Sequence, residues 1–318
     1  METRVGLIGF GEAGSTFAIA GGWAGAACAF DRKTDDPATR DAMLAAYAGA
    51  RVRGAGVVAD AASAAPLLIS LVTADQALAV AEMAAGLIAR GTLYCDMNSV
   101  APQTKQAAAH AIEAAGGHYV DVAVMAPVIP ARLGVPLLLS GGEAAAAQDR
   151  LAALGFDNIR VVGDAVGRAS AIKMIRSVMV KGLEALTAEC VLAAAQAGVL
   201  EEVLASLDAS EKRRTWAERA DYNLDRMLVH GVRRAAEMEE VVKTLDDLGT
   251  GAMMTRGTVE RQRAIGALGV EMVPEGLGAK IERIGCYAPF RHPREGRDPS
   301  PAFAIGDMAG DAFPLPRE

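Results

Sequence analysis

The sequence predicts two structural parts. The first is an α/β domain with a mostly parallel, doubly wound sheet over residues 1–165. The second is an all-helical domain over 166–285, joined to the first by one long helix. Three observations carry this. Seven short apolar runs alternate with alanine-rich stretches of helical length through the first half, the pattern of βαβ units. Three glycines, Gly9, Gly11 and Gly14, follow the first run at the spacing G-x-G-x-x-G. The stretch 168–198 then holds no proline and one internal glycine, Gly182, which reads as a single helix.

In order, the strand-like runs are RVGLIGF, GAACAFD, APLLISLV, GTLYCDMNS, GHYVDVAVM, VPLLLSGG and NIRVVGD. Between them AGSTFAIAGGWAG, PATRDAMLAAYAGA, DQALAVAEMAAGLIARG and PQTKQAAAHAIEAAGG read as helices. Alanine loses no side-chain entropy in a helix, and the AAGG and ARG endings look like caps where glycine takes the left-handed conformation. From Leu200 to Gly285 the chain stays helical, with breaks expected near Asp208, Gly231 and LGTGA. Residues 286–318, rich in proline, glycine and charge, are expected to pack poorly.

Net charge is −7 and aromatics make up only 4% of 318 residues. An acidic chain lacks the basic footprint of a general nucleic-acid binder, so a small-molecule partner is expected. Four scattered cysteines form no C-x-x-C pair, which argues against zinc and disulfide frameworks and fits a reducing cytoplasm. The first strand begins within a few residues of Met1, leaving no room for a signal peptide. No uninterrupted apolar stretch reaches the length of a membrane span.

The glycine spacing alone is a weak signal, but its context is specific. A strand precedes it, a helix follows it, and Asp31 closes the second strand 22 residues past Gly9. In the loop Gly9-Phe10-Gly11-Glu12-Ala13-Gly14, Gly9 permits a tight turn and Gly11 lets a pyrophosphate approach the backbone. Gly14 lets helix pack on strand, and the helix N-terminus offers free N–H groups to the phosphates. Asp31 suits the adenosine ribose hydroxyls and favours NAD; Arg32 and Lys33, directly after it, could pair with the extra phosphate of NADP instead. Val72 and Thr73 end the third run and are expected near the cofactor ribose, with Asn98 after the fourth.

Four stretches in order, GLIGFGEAGSTFA, LLISLVTADQALAVA with DMNSVAPQTK, GHYVDVAVMAPV…GVPLLLSGG, and GRASAIKMIRSVMVKGLEAL, resemble the β-hydroxyacid dehydrogenase and 6-phosphogluconate dehydrogenase superfamily over about residues 3–250. HGVRRAAEMEEVVKTLDDLG looks like a less characterised branch with its own helical C-terminal domain. The resemblance implies a Rossmann domain, an interdomain helix and a helical domain used for homodimerisation. It also implies hydride transfer between NAD(P) and a hydroxyacid, and a catalytic lysine carried in K-x-x-x-N. That lysine maps to Lys173, with Ser177 at the asparagine position. A base must take the hydroxyl proton as hydride leaves the carbinol carbon, and an amine in an apolar cleft suits the task. Ser99, Met125 and Ala126 fall on the substrate side; Arg176 and Lys181 are candidates for a substrate carboxylate or phosphate.

The same lysine also fits a bland reading, because Lys173, Arg176, Ser177, Lys181 and Glu184 share one polar arc, as on any surface helix. Ser99 could equally cap the helix near Pro102, and Met125 could be a packing residue. The chain departs from the family at the substrate loop, where D-A-P-V-S-G-G gives way to Asp121-Val-Ala-Val-Met125-Ala126-Pro127. Met125 offers no hydroxyl and Pro127 no N–H, so the pocket should be more apolar. A lysine of the C-terminal helix is also missing; Arg233 or Arg234 could replace it, or His230, Arg233, Arg234 and Glu237 form a surface stripe. His110, His118 and His292 have no partners at ligand spacing, so no metal is expected. Two rival readings stay open: a C=N reductase on the same fold, and a non-catalytic dinucleotide-binding protein.

Overall fold

The computed structural model describes residues 4–210 and 212–285, so the expectations for His292 and the 286–318 tail lie outside the described residues. The described chain falls into two compact units, parted after Met179.

The first unit runs β1 (Val5–Ile8), α1 (Glu12–Ala20), β2 (Ala27–Phe30), α2 (Arg40–Ala50), β3 (Arg53–Gly54), α3 (Val58–Ala62), β4 (Leu67–Ser70), α4 (Ala77–Ala85), β5 (Leu93–Asp96), α5 (Pro102–Ala114), β6 (His118–Val124), β7 (Leu137–Ser140), α6 (Ala144–Ala153), β8 (Ile159–Gly163) and the start of α7 (Arg168–Ala197). The strands form one sheet in the order β3-β2-β1-β4-β5-β6-β7-β8. Every pairing is parallel except β6 with β7. The doubly wound Rossmann-type sheet expected from the alternating runs is therefore present.

Strands β1, β2, β4, β5 and β7 are buried at every position, as a sheet covered on both faces requires. Alternate residues serve opposite faces. Leu7, Ile69, Cys95 and Val120 belong to one core with Phe17, Leu151 and Phe156. Ile8, Leu68, Tyr94 and Tyr119 belong to another with Ala81, Ala108 and Ile112. The order reverses between β1 and β4, and ligands of such sheets bind beyond the strand ends at that point.

Several details differ from the sequence reading. Helices α3 and α6 and the two-residue β3 are additional. In α6 the alanine run AAAAQDRLAA shows too little apolar contrast for its buried face to stand out in the sequence. Gly116 is left-handed after α5, as a cap should be, but α4 ends at Ala85 and Gly91 turns the chain only later. α7 ends at Ala197, followed by left-handed Gly198.

The second unit contains the rest of α7 with α8 (Leu200–Ser210), α9 (Trp216–Asp247), α10 (Met253–Gly266) and α11 (Leu277–Gly285). The break expected at Gly231 does not occur, and α9 runs straight through it. A β-carbon there would sit 2.3 Å from the Gln262 carbonyl and 2.8 Å from Gly266 Cα, so this glycine permits close approach of α9 and α10. The break at LGTGA is real, with Gly249 and Gly251 left-handed. Glu189 of α7 caps α10, accepting from the Met254 and Thr255 amides at 2.9 Å each and from the Thr255 hydroxyl at 2.6 Å.

Candidate functional site

The glycine loop joins β1 to α1. Gly9 has φ +94°, and a β-carbon on it would lie 2.3 Å from the Leu71 carbonyl. Gly14 is as confined, its β-carbon position 2.7 Å from the Gly9 carbonyl. Gly11 is different: nothing stands within 4 Å of the same position. No side chain caps the N-terminus of α1. Two glycines are thus required by packing, while the third leaves open space beside uncapped helix amides, the arrangement that receives a phosphate.

Asp31 closes the other side. Its Oδ2 accepts from the Phe10 amide at 2.8 Å and its Oδ1 from the Lys33 amide at 3.0 Å. The Asp31 amide donates to the Tyr47 hydroxyl at 2.7 Å, and the Tyr47 ring lies 5.1 Å from that of the buried Phe10. Burial is the main reason the Tyr47 phenol is pushed up, so it stays a neutral hydroxyl. A cleft of about 650 Å³ opens here, lined by Gly9, Gly11, Asp31, Arg32, Val72 and Thr73 of the expected set. Lys33, Asp35, Val57, Gln76 and Met83 also line it. Val57 and Met83 carry no sequence signal, because an exposed aliphatic residue becomes informative only when the fold sets it over a cleft. Glu12 is exposed and Ala13 half-buried in the first turn of α1.

Asn98 is buried, and its side chain is fully engaged: Oδ1 accepts from the Val72 amide at 2.6 Å and Nδ2 donates to Ser70 Oγ at 2.9 Å. It thereby shapes the cleft through Val72. Ser99 is exposed. It does not cap α5, whose N-cap is Ala101 with no side-chain hydrogen bond.

Met125 and Ala126 are half-buried just after β6, and the Met125 amide donates to the Pro136 carbonyl at 2.9 Å. The structure joins this loop to α7, for Arg176 Nη1 donates to the Met125 carbonyl at 3.4 Å. Lys173 is half-buried in the second turn of α7. Ser177 donates its hydroxyl back to the Lys173 carbonyl at 2.9 Å. Lys181 is exposed and belongs to the second unit. Arg233 and Glu237 form an exposed ion pair, as a surface stripe does. Among the described residues no His/Cys/Asp/Glu group is placed to hold a metal, and no helix is long and apolar enough to cross a membrane.

One cluster escaped the sequence reading. Lys105 of α5 is fully buried, its ammonium 2.9 Å from Asp96 Oδ1 and 3.4 Å from Asp121 Oδ1. In sequence it is one lysine in a polar helix, and nothing there shows that it faces inward.

The sheet order, the glycine loop and the cleft beyond the β1/β4 switch define a protein that binds a nicotinamide dinucleotide. Residues 4–156 match the NAD binding domain of 6-phosphogluconate dehydrogenase, and residues 194–265 match a domain of unknown function, DUF1932. A conserved hypothetical protein from Sinorhizobium meliloti 1021 is 38% identical, covering 89% of this chain and 96% of its own, with TM-score 0.56. A conserved protein of unknown function, described as structurally similar to 3-hydroxyacid dehydrogenases, is 32% identical over 82% of this chain and 96% of its own (TM-score 0.55). A Methanothermus fervidus protein, known as the uncharacterized 28.5 kDa protein in 7S RNA 5′ region, is 30% identical over 177 residues, 56% of this chain and 66% of that relative. The chain belongs to the same family as these relatives; in it a 6-phosphogluconate dehydrogenase-type NAD-binding domain precedes a DUF1932 domain, within the superfamily of NAD(P)-dependent oxidoreductases. The fold is also that of a reductive aminase from Aspergillus terreus crystallised with NADPH and ethyl levulinate. That enzyme is 19% identical, covering 83% of this chain and 94% of its own, with TM-score 0.63.

Proposed function

We propose that the protein transfers hydride between a nicotinamide dinucleotide and a hydroxyacid or related alcohol/carbonyl pair, with Lys173 as general acid/base. Bound at the glycine loop, the nicotinamide supplies or accepts the hydride. The loop amides and the N-terminus of α1 hold the phosphates, and Asp31 serves the adenosine ribose. The Lys173 amine exchanges the proton at the substrate oxygen. Ser177, Ser99, Met125 and Ala126 line the substrate side, and Arg176 holds the Met125 carbonyl in place. The observation that supports this reading most is the tie between Arg176 and Met125. It puts the helix that carries Lys173 against the loop that follows β6, in the same compact unit as the cleft.

NAD is the favoured cofactor, since the Asp31 carboxylate opposes a 2′-phosphate. Arg32 and Lys33 stand at the cleft for NADP. A homodimer through the helical region completes the proposal. The apolar lining at Met125-Ala126-Pro127 and the likeness in fold to a reductive aminase favour C=N reduction as the second reading.

The test is a panel of hydroxyacids, alcohols and cyclic imines assayed with both nucleotides by absorbance of the reduced nicotinamide. Turnover of a hydroxyacid, reduced on the order of 100- to 10,000-fold in Lys173→Ala, is expected. Full activity in that variant overturns the role of Lys173, and turnover confined to imines moves the protein to the second reading. Nucleotide binding with no turnover on any member leaves a binding protein.

A further inference from the structure

Asp96 and Asp121 are direct register partners on β5 and β6, and both side chains are wholly buried. Two carboxylates side by side in the interior repel each other strongly. The Lys105 ammonium lies between them and also donates to the Asp96 carbonyl at 2.7 Å. Asp96 is completed by the Tyr119 hydroxyl at 2.6 Å on Oδ2 and the Asn98 amide at 2.8 Å on Oδ1. The ammonium lies near both carboxylates but hydrogen-bonds only Asp96, so Asp121 needs another partner.

That partner is the N-terminus of α7. Asp121 Oδ2 accepts from the Ser170 amide at 2.9 Å. Ser140, the register partner of Asp121 on β7, accepts from the Ala169 amide at 3.0 Å and donates to Asp121 Oδ2 at 3.3 Å. Helix N-termini carry unpaired N–H groups and the positive end of the helix dipole. Here two of those groups are met by side chains of neighbouring strands, so the helix start is fixed to the sheet. Ser170 is three residues before Lys173, hence one turn away on the same side of the helix. At the other end, Asn98 ties Asp96 to the Val72 amide at the cofactor cleft.

We infer that Asp121, set beside Lys105 and seconded by Ser140, is a positioning residue that fixes the first turn of α7 and with it the place of Lys173 relative to the dinucleotide cleft. This rests on the role proposed for Lys173. Neither Asp121 nor Lys105 touches a reacting atom; each acts through the backbone of α7.

The test compares Asp121→Asn with Ile112→Val, a control of purely structural kind in the core behind the sheet, in the full chain. Amide hydrogen exchange at residues 169–173 is expected to quicken about tenfold in Asp121→Asn, with exchange in β1 and β4 unchanged. Ile112→Val should quicken exchange evenly or not at all. Dissociation constants for NADH and NADPH should stay within about twofold, while turnover of whichever panel substrate is found falls about tenfold. Lys105→Met should copy the exchange pattern and Lys105→Arg should partly restore it. If Asp121→Asn does not fold, Ser140→Ala carries the test, because the Ala169 amide then loses its acceptor while Asp121 keeps the Ser170 amide. Unchanged exchange at 169–173, or exchange that rises evenly as in the control, overturns the inference. A local rise in exchange with full turnover in Lys173→Ala overturns the catalytic reading instead and leaves the anchoring of α7 standing.

Discussion

At the residue scale the three loop glycines divide by what a methyl group would strike. Gly9 is held at positive φ against the Leu71 carbonyl, and Gly14 against the Gly9 carbonyl. Gly11 has φ −73°, which alanine adopts freely, and its β-carbon position is open. Gly11→Ala should therefore keep its stability within about 0.5 kcal/mol while weakening dinucleotide binding about tenfold, since the methyl group occupies the phosphate approach. Gly9→Ala should lose about 2 kcal/mol or more from strain and overlap. Urea unfolding paired with fluorescence titration of NADH separates the two; equal losses of stability would contradict the division of roles. This part of the site was legible, because glycine spacing, a strand before it and an acidic residue after the next strand are all local sequence facts. The engagement of Asp31 was not. Its partners are the Phe10 amide, the Lys33 amide and Tyr47, and backbone donors leave no mark on residue identity.

At the scale of elements, strands and long helices follow from pattern, and the misses have physical causes. Gly231 reads as a break because glycine costs about 1 kcal/mol inside a helix, yet its reason for being there is Gly266, far along the chain. Gly231→Ala, favourable in an isolated helix, should here destabilise by about 2 kcal/mol or more by forcing α9 from α10. Thermal unfolding checks the sign, and a gain in stability would show that the two helices do not meet so closely. The cap on α10 adds a pH dependence. Burial alone would raise the Glu189 carboxyl, but the Thr255 hydroxyl and the amides of Met254 and Thr255 outweigh it and hold it below its ordinary 4.5. A carboxyl lowered on folding stabilises above its unfolded value, and that gain fades as pH falls through the lowered one. Glu189→Gln should thus cost about 1 kcal/mol at neutral pH. The gap from the parent should narrow as pH falls below the ordinary 4.5, read by denaturant midpoints across pH.

At the scale of the whole molecule, sequence shows which stretches become helices and strands but not which polar residues end up inside. Lys105 looks like any solvated helical lysine until β5 and β6 place two aspartates beneath it. The converse holds for large apolar residues of α7 and α9 that the described chain leaves in solvent. Ile175 and Val178 are each 71% exposed, Leu192 61% and Trp216 60%. Exposed apolar side chains of this size suit contact with another chain, and each one removed from water returns roughly 25 cal/mol per Å². A second copy is the occupant proposed here. A stable pair needs about 800 Å² of each partner, which a helix face of this length can supply. Sedimentation equilibrium should give twice the mass of one chain, and Leu192→Asp should shift the protein toward single chains by placing a charge in a dry contact. A parent protein that sediments as one chain at micromolar concentration contradicts the pairing.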